Sequence, residues 1–243
     1  MKLIDVNSDV GEGVGNEAQL MPLISSCNIA CGGHAGDAET MAKTIKVAKR
    51  HGVKIGAHPS YPDTINFGRK AMAMAPAELI RCIRGQLKTF GTILQEHGGS
   101  MHHIKAHGAL YNTIAKDKDV ASTYLKALEP FYPVTLYVPH GSEIAILAFK
   151  LGWPLCFEAF ADRNYNEDGT LVSRNLDNAL LQNVNEVLQH VLNIVDKGHV
   201  KTVQKTKMAI KADTLCIHGD TPSAIEILTY LHHELPNHQI KIT

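Results

Sequence analysis

Short apolar runs alternate with amphipathic stretches along the whole chain. Residues 3–6 read as a first strand, followed by a glycine-punctuated turn over 11–15. Further strands are predicted over 26–30, 53–57, 103–106, 134–138, 155–157 and 214–217. The run over 134–138 is almost wholly apolar, as in a strand buried on both faces. Between the strands, Asp37 is placed to cap a helix that carries Met41, Ile45 and Ala48 on one face and meets Gly52 at its end. Pro76 suits the first turn of a second helix, in which Leu79, Ile83, Leu87, Phe90 and Leu94 form a continuous stripe. Helices are also predicted over 119–128, 142–151 and 185–196, and after Pro222. Lys/Val/Thr alternation over 200–211 suggests a small β-excursion. Strand, loop and helix repeated six or seven times argue for a parallel sheet. The even alternation, with no dominant nucleotide-binding turn, favours a closed barrel over an open doubly wound sheet. The expectation is an α/β fold: one distorted (β/α) barrel domain over residues 1–243, with about seven parallel strands.

Composition narrows the function classes. The chain has 243 residues, close to the roughly 250 of a single barrel. Its 24 Lys+Arg balance 24 Asp+Glu, which gives no electrostatic reason to seek nucleic acid or anionic lipid. No apolar stretch approaches the ~20 residues of a membrane span, and the first ten residues lack the pattern of a signal peptide. Five scattered cysteines with no Cys-x-x-Cys pair do not make a disulfide framework, and together these features suggest a cytoplasmic protein. Fourteen histidines stand out, because histidine both titrates near neutrality and ligates metals.

Their positions carry the argument. Nearly every apolar run ends in a cluster of groups able to do chemistry: Asn7, Asp9 and Glu12 after the first; His34 and Asp37 after the second; His58 after the third. Lys105 and His107 follow the fourth, Glu158, Asp162 and Arg163 the sixth, and His218 and Asp220 the last. In a parallel barrel these strand ends converge on one rim, where active sites of such folds lie. Each has an ordinary reading taken alone: Asp9, Asp37 and Asp220 as caps, His58-Pro59 as a rigid turn, Lys105 as a snorkelling lysine, Asp162-Arg163 as a loop ion pair. Six such accidents on one side of one sheet are much less probable together. Small residues after His34, His107 and His218 suggest imidazoles open to a ligand. The other histidines are expected to be solvent-facing or structural, with His103 the one to watch.

These clusters, in this order, resemble the lactam-utilisation family, the A component of bacterial ATP-dependent 5-oxoprolinases. The resemblance runs through Asp5–Glu12, Asn28–Asp37, Gly56–Pro59, Phe67–Arg69, Lys105–Asn112, Phe160–Arg163 and Cys216–Asp220. Ser8, Gly33, Ala106 and Lys70 depart from the family's usual residues, and Ser8 tells against a catalytic cysteine there. The resemblance implies a seven-stranded barrel similar to those of polysaccharide deacetylases and glycoside hydrolases. It also implies cleavage of 5-oxo-L-proline to L-glutamate with ATP as co-substrate, carried out with partner subunits B and C. Asp9, Glu12, His34, Lys105, His107 and His218 are then the catalytic candidates. Asn7, Asp37, His58, Arg69, Tyr111, Asp162, Arg163 and Asp220 are candidates for holding substrate. Asp9 would activate water with help from His34 or His107, Lys105 would stabilise developing charge, and Arg69 or Arg163 would grip the substrate carboxylate. By analogy with the deacetylases, Asp9, His58 and His107 are the candidate ligands of a divalent metal. The absence of a Walker-type phosphate loop and of a Rossmann turn agrees with nucleotide handling largely by a partner. A stand-alone metal-dependent amidase or carbohydrate deacetylase, and a non-catalytic subunit that binds a small acid, are the alternatives.

Overall fold

A computed structural model describes residues 1–243. The strands are β1 (Lys2–Val10), β2 (Ser26–Ala30), β3 (Lys54–His58), β4 (His103–Ile104), β5 (Thr135–Pro139), β6 (Leu155–Phe160), β7 (His199–Lys201), β8 (Lys207–Ala209), β9 (Thr214–Cys216) and β10 (Ile240–Ile242). The helices are α1 (Glu17–Leu20), α2 (Ala38–Arg50), α3 (Pro76–Glu96), α4 (Gly108–Lys116), α5 (Lys118–Leu128), α6 (Glu143–Lys150), α7 (Val184–Lys197) and α8 (Ala224–Glu234).

Seven parallel strands close into a barrel in the order β1-β2-β3-β4-β5-β6-β9, with β9 returning to β1. Closure depends on the length of β1, which serves three neighbours in turn. Lys2–Ile4 pairs with β10, Asp5–Asn7 with β9, and Asn7–Val10 with β2. β10 thus lies outside the ring, a parallel extension that the short stretch Ile240-Lys241-Ile242 does not announce. The excursion expected near residue 200 is the antiparallel hairpin β7–β8.

The helices form where their apolar stripes demand burial. In α3, Leu79, Ile83, Leu87, Phe90 and Leu94 are all buried, each contributing roughly 1.5–3 kcal/mol by leaving water. Asp37 caps α2 as expected, its side chain accepting from the Thr40 amide. The short helix α4 has no counterpart in the predicted elements. It starts at Gly108, whose φ of +54° and close approach to the Gly68 carbonyl leave no room for a side chain. No helix is long and apolar enough to cross a membrane.

His190 of α7 is buried, and its Nε2 faces the Phe160 carbonyl at 3.1 Å. Burial pushes its pKa down to about 4. The unfolded chain therefore takes up this proton at a higher pH than the folded one. Stability carried by neutral His190 is complete above the ordinary histidine range and is lost as pH falls from there towards 4. Over that window His190→Gln should flatten the fall of unfolding free energy by about one proton, roughly 1.4 kcal/mol per pH unit at its steepest. Denaturant titrations at a series of pH values read this slope, and an unchanged slope would count against a neutral buried His190.

Candidate active site

The interior of the barrel is polar at the ends of its strands, and one cation organises it. Lys105 follows β4 and is buried, with its Nζ 2.9 Å from Asp9 Oδ1 and 2.9 Å from Glu158 Oε1. The same nitrogen lies 3.3 Å from Asn7 Oδ1 and 3.1 Å from Cys216 Sγ. Burial disfavours the ammonium, but the charges of Asp9 and Glu158 outweigh it and hold the group well above the usual lysine range. Burial likewise pulls the Asp9 carboxyl up, and His58 together with Lys105 outweighs that pull and keeps Asp9 well below the usual carboxylate range.

A layer of amides beneath the charges fixes their positions. Asn28 Nδ2 donates to both Asn7 Oδ1 and Asp9 Oδ1, each at 2.8 Å. Asn7 Nδ2 donates to Glu158 Oε1 and Thr214 Oγ1, each at 2.9 Å. His103 Nε2 lies 2.6 Å from Asn28 Oδ1, an oxygen that only accepts, so this ring nitrogen carries the proton. The imidazole stacks on Tyr137 at 3.8 Å. It occupies space that only glycine at position 56 leaves free, since a Cβ there would come within 2.2 Å of the ring.

A second group gathers beside Asp9. Asp9 Oδ2 is 3.2 Å from His58 Nε2, whose ring faces His107 Nδ1 at 3.0 Å. His34 stacks on His107 at 3.5 Å and meets Glu12 Oε1 at 2.8 Å. Burial, followed by repulsion from Asp9, pushes Glu12 up to about 7, and burial with the His58 charge pushes His34 down to about 3. Phe67 (φ 55°) and Gly68 (φ 62°) follow one another in the left-handed region, and this turn aims the Phe67 carbonyl at His107 Nε2, 2.9 Å away. Across the cavity, Asp162 accepts hydrogen bonds from His218 Nδ1 at 3.0 Å and from Thr221 Oγ1 at 2.7 Å. Burial raises the Asp162 carboxyl, but the His218 charge and these hydrogen bonds bring it to about 2. At the rim, Asp220 Oδ2 is shared by Arg69 and Arg174, each at 2.8 Å. The cavity, open at the rim, measures about 680 Å³ and is lined by Asp9, Glu12, His58, Lys105, His107 and His218, among others.

With this geometry in hand, comparison with known proteins places the chain. A profile of the LamB/YcsF family matches residues 4–243. The chain belongs to that family. Proteins from Staphylococcus saprophyticus and Geobacillus thermodenitrificans, both named as the A component of 5-oxoprolinase, are 42% and 41% identical to it. The alignments cover 99% and 100% of this chain and 98% and 96% of theirs. The crystal structure of a lactam utilization protein from Thermus thermophilus superposes with a TM-score of 0.90 at 33% identity, covering 100% of this chain and 99% of that one. A family 4 carbohydrate esterase from Streptomyces lividans shares the fold alone (TM-score 0.51, 9% identity, 99% of this chain and 91% of that one).

In this LamB/YcsF protein the barrel brings most of the sequence-derived candidates to one place, with different partners from those expected. Asp37 is not among them: it is exposed and occupied in capping α2. Asn7 and Asp162 lie beneath the cavity, where they position Glu158 and His218 and have no face towards a ligand. Arg163 is buried with its guanidinium on the carbonyls of Val172 and Ala179, so the rim cation beside Arg69 is Arg174. The expected helper of Asp9 in water activation is His34 or His107, yet the imidazole on Asp9 is His58, and His34 is enclosed rather than open. Tyr111 does reach the cavity wall, with its buried hydroxyl free of any partner. Asn28, His103, Glu158 and Arg174 have no role that the sequence alone assigns. Asn28 and Glu158 stand among the strand-end clusters, and His103 is the histidine to watch.

The buried charge cluster has a measurable consequence. Lys105→Met leaves Asp9 and Glu158 buried without their cation and should destabilise the protein by about 3–5 kcal/mol. Adding Glu158→Gln should recover part of that loss. Additive losses in a double-mutant cycle by denaturant unfolding would show that the two groups do not share a buried ion pair.

Proposed function

We propose that this chain cleaves the lactam of 5-oxo-L-proline to L-glutamate within a cytoplasmic, ATP-hydrolysing complex that includes 5-oxoprolinase subunits B and C. The names of its relatives support the lactam, and the cavity supports the chemistry. The observation that carries the reading is Asp9 Oδ2. Asp9 Oδ1 is committed to Lys105 and Asn28, whereas Oδ2 faces His58 in a cavity large enough for a small cyclic acid.

A five-membered lactam is a resonance-stabilised amide, so opening it requires an activated carbonyl and a positioned water. Phosphorylation of the amide oxygen by ATP makes the ring carbon electrophilic. Asp9, kept ionised beside Lys105, then accepts the proton of the attacking water; departure of the ring nitrogen leaves a γ-glutamyl phosphate, from which a second water releases L-glutamate and inorganic phosphate. The fixed positive charge of Lys105 lowers the energy of negative charge developing near it. His218, oriented through Nδ1 by Asp162, keeps Nε2 for the leaving nitrogen. Arg69 and Arg174 share one Asp220 oxygen, so the rim keeps a surplus positive charge for the substrate carboxylate.

Asp9→Asn preserves the acceptor for Lys105 and removes the base. In the complex reconstituted with its partners, glutamate release from 5-oxoproline should fall by at least about 100-fold, with the unfolding transition retained. Turnover within a few-fold of the unaltered protein would overturn the assignment.

A further inference from the structure

Beside Asp9 the structure has an electrostatic problem that the lactam reading does not resolve. Glu12, His34, His58 and His107 come from the loop after β1, the loop after β2, the end of β3 and the start of α4, and one ligand atom from each lies within 4.8 Å of every other. Protons on two of the imidazoles are fixed by their surroundings. His58 Nδ1 faces the Lys105 carbonyl at 2.8 Å and His107 Nε2 faces the Phe67 carbonyl at 2.9 Å. A carbonyl oxygen only accepts, so both of these nitrogens carry hydrogen. Without a proton on His58 Nε2, the rings present two bare nitrogens, His58 Nε2 and His107 Nδ1, to each other across 3.0 Å. Glu12 Oε1 adds a third lone-pair donor, 3.4 Å from His107 Nδ1 and 4.0 Å from His58 Nε2. No carbonyl fixes His34, whose Nδ1 has no partner and whose Nε2 meets the same Glu12 oxygen at 2.8 Å. Asp9 Oδ2 lies 3.2 Å from the same His58 nitrogen, and lone pairs brought this close need a cation between them, either a proton on His58 or a bound ion.

The neighbouring cluster shows the contrast. Asp9 and Cys216 also converge with His218, and there Lys105 Nζ supplies the cation, within 3.1 Å of both the carboxylate and the sulfur. No lysine or arginine side chain enters the four-residue cluster; Arg69, the arginine beside Phe67, is paired with Asp220.

We propose that Glu12, His34, His58 and His107 bind one divalent transition-metal ion. Three imidazoles and one carboxylate suit zinc, cobalt, nickel, manganese or iron rather than calcium or magnesium, which favour all-oxygen shells. Ligands 2.0–2.1 Å from a tetrahedral ion stand about 3.4 Å apart. The separations of 2.8, 3.0, 3.4 and 4.0 Å in the cluster bracket that value. The backbone carbonyls behind His58 and His107 are the outer partners that orient metal-ligating imidazoles and fix their tautomers. The set differs from the Asp9, His58 and His107 trio inferred by analogy, because Glu12 takes the place of Asp9 and His34 is added. Bound there, the ion would supply Lewis acidity one residue away from the proposed base. The proposal stands whatever the substrate.

The test uses full-length, tag-free protein stripped with chelator and dialysed, titrated with cobalt(II) and separately with zinc(II). We expect one ion per chain, a visible cobalt absorption band, displacement of cobalt by zinc and a raised unfolding temperature. Glu12→Gln and His58→Ala should each weaken the affinity at least about tenfold, whereas His232→Ala on the outer helix α8 should not change it. If either variant fails to fold, His34→Gln and the stoichiometry of the unaltered protein decide. No saturable cobalt signal from the unaltered protein would overturn the proposal, as would binding that the cluster variants leave unchanged; in that case a proton on His58 is the cation. Glutamate release plays no part in the readout, so a failed metal site and a failed lactam reading are separate results.

Discussion

A buried ammonium has to be surrounded before the barrel can close. Lys105 sits almost wholly buried inside the ring of strands, and desolvating such a charge costs several kcal/mol unless partners replace the solvent. Those partners come from β1, β6 and β9, which are far apart in the chain and adjacent in the sheet. The contact that satisfies Lys105 therefore also holds β1 against β9 and β6, the seam at which the sheet becomes a ring. Fold and chemistry share this interaction. The same cation that makes the interior tolerable keeps Asp9 ionised and turned towards the cavity.

Around that centre the groups divide by depth. Asn7, Asn28, His103, Asp162 and Thr214 form a lower layer whose hydrogen bonds are consumed within the protein, so it sets angles and tautomers. Asp9, His58, His107 and His218 lie above it with one face on the cavity. Arg69, Arg174 and Asp220 form the rim. Environment moves similar carboxyls in opposite directions: Glu12 is pushed up to about 7, while Asp162 is brought to about 2.

Much of this is legible in the sequence because a parallel barrel collects its strand ends. Once alternating strands and helices are recognised, Asp9, His58, Lys105, His107 and His218 have to share a rim. Less legible is which of them touch. Hydrogen bonds such as Asn7 to Glu158 span 151 positions, and no spacing rule reports them. The sequence pattern ends the first strand at Val6, because Asn7, Ser8 and Asp9 look like loop residues. Each is buried and bonded inside the barrel, and β1 runs on to Val10. Arg163 looks available beside Asp162, whereas the chain folds its carbonyls around the guanidinium and leaves Arg174, eleven positions later, at the rim. Asp37 shows the opposite case: the capping reading is correct, and the side chain is exposed outside the cavity lining.

The charge state of the buried cluster is the claim on which the rest turns, and nitrogen-15 NMR of the Lys105 ζ-nitrogen reads it directly. The expected result is a slowly exchanging ammonium signal that persists across the whole alkaline range in which the protein stays folded, and that shifts when Glu158 is changed to Gln. A neutral amine signal at neutral pH would show that Lys105 is not the cation around which the barrel and its chemistry are built.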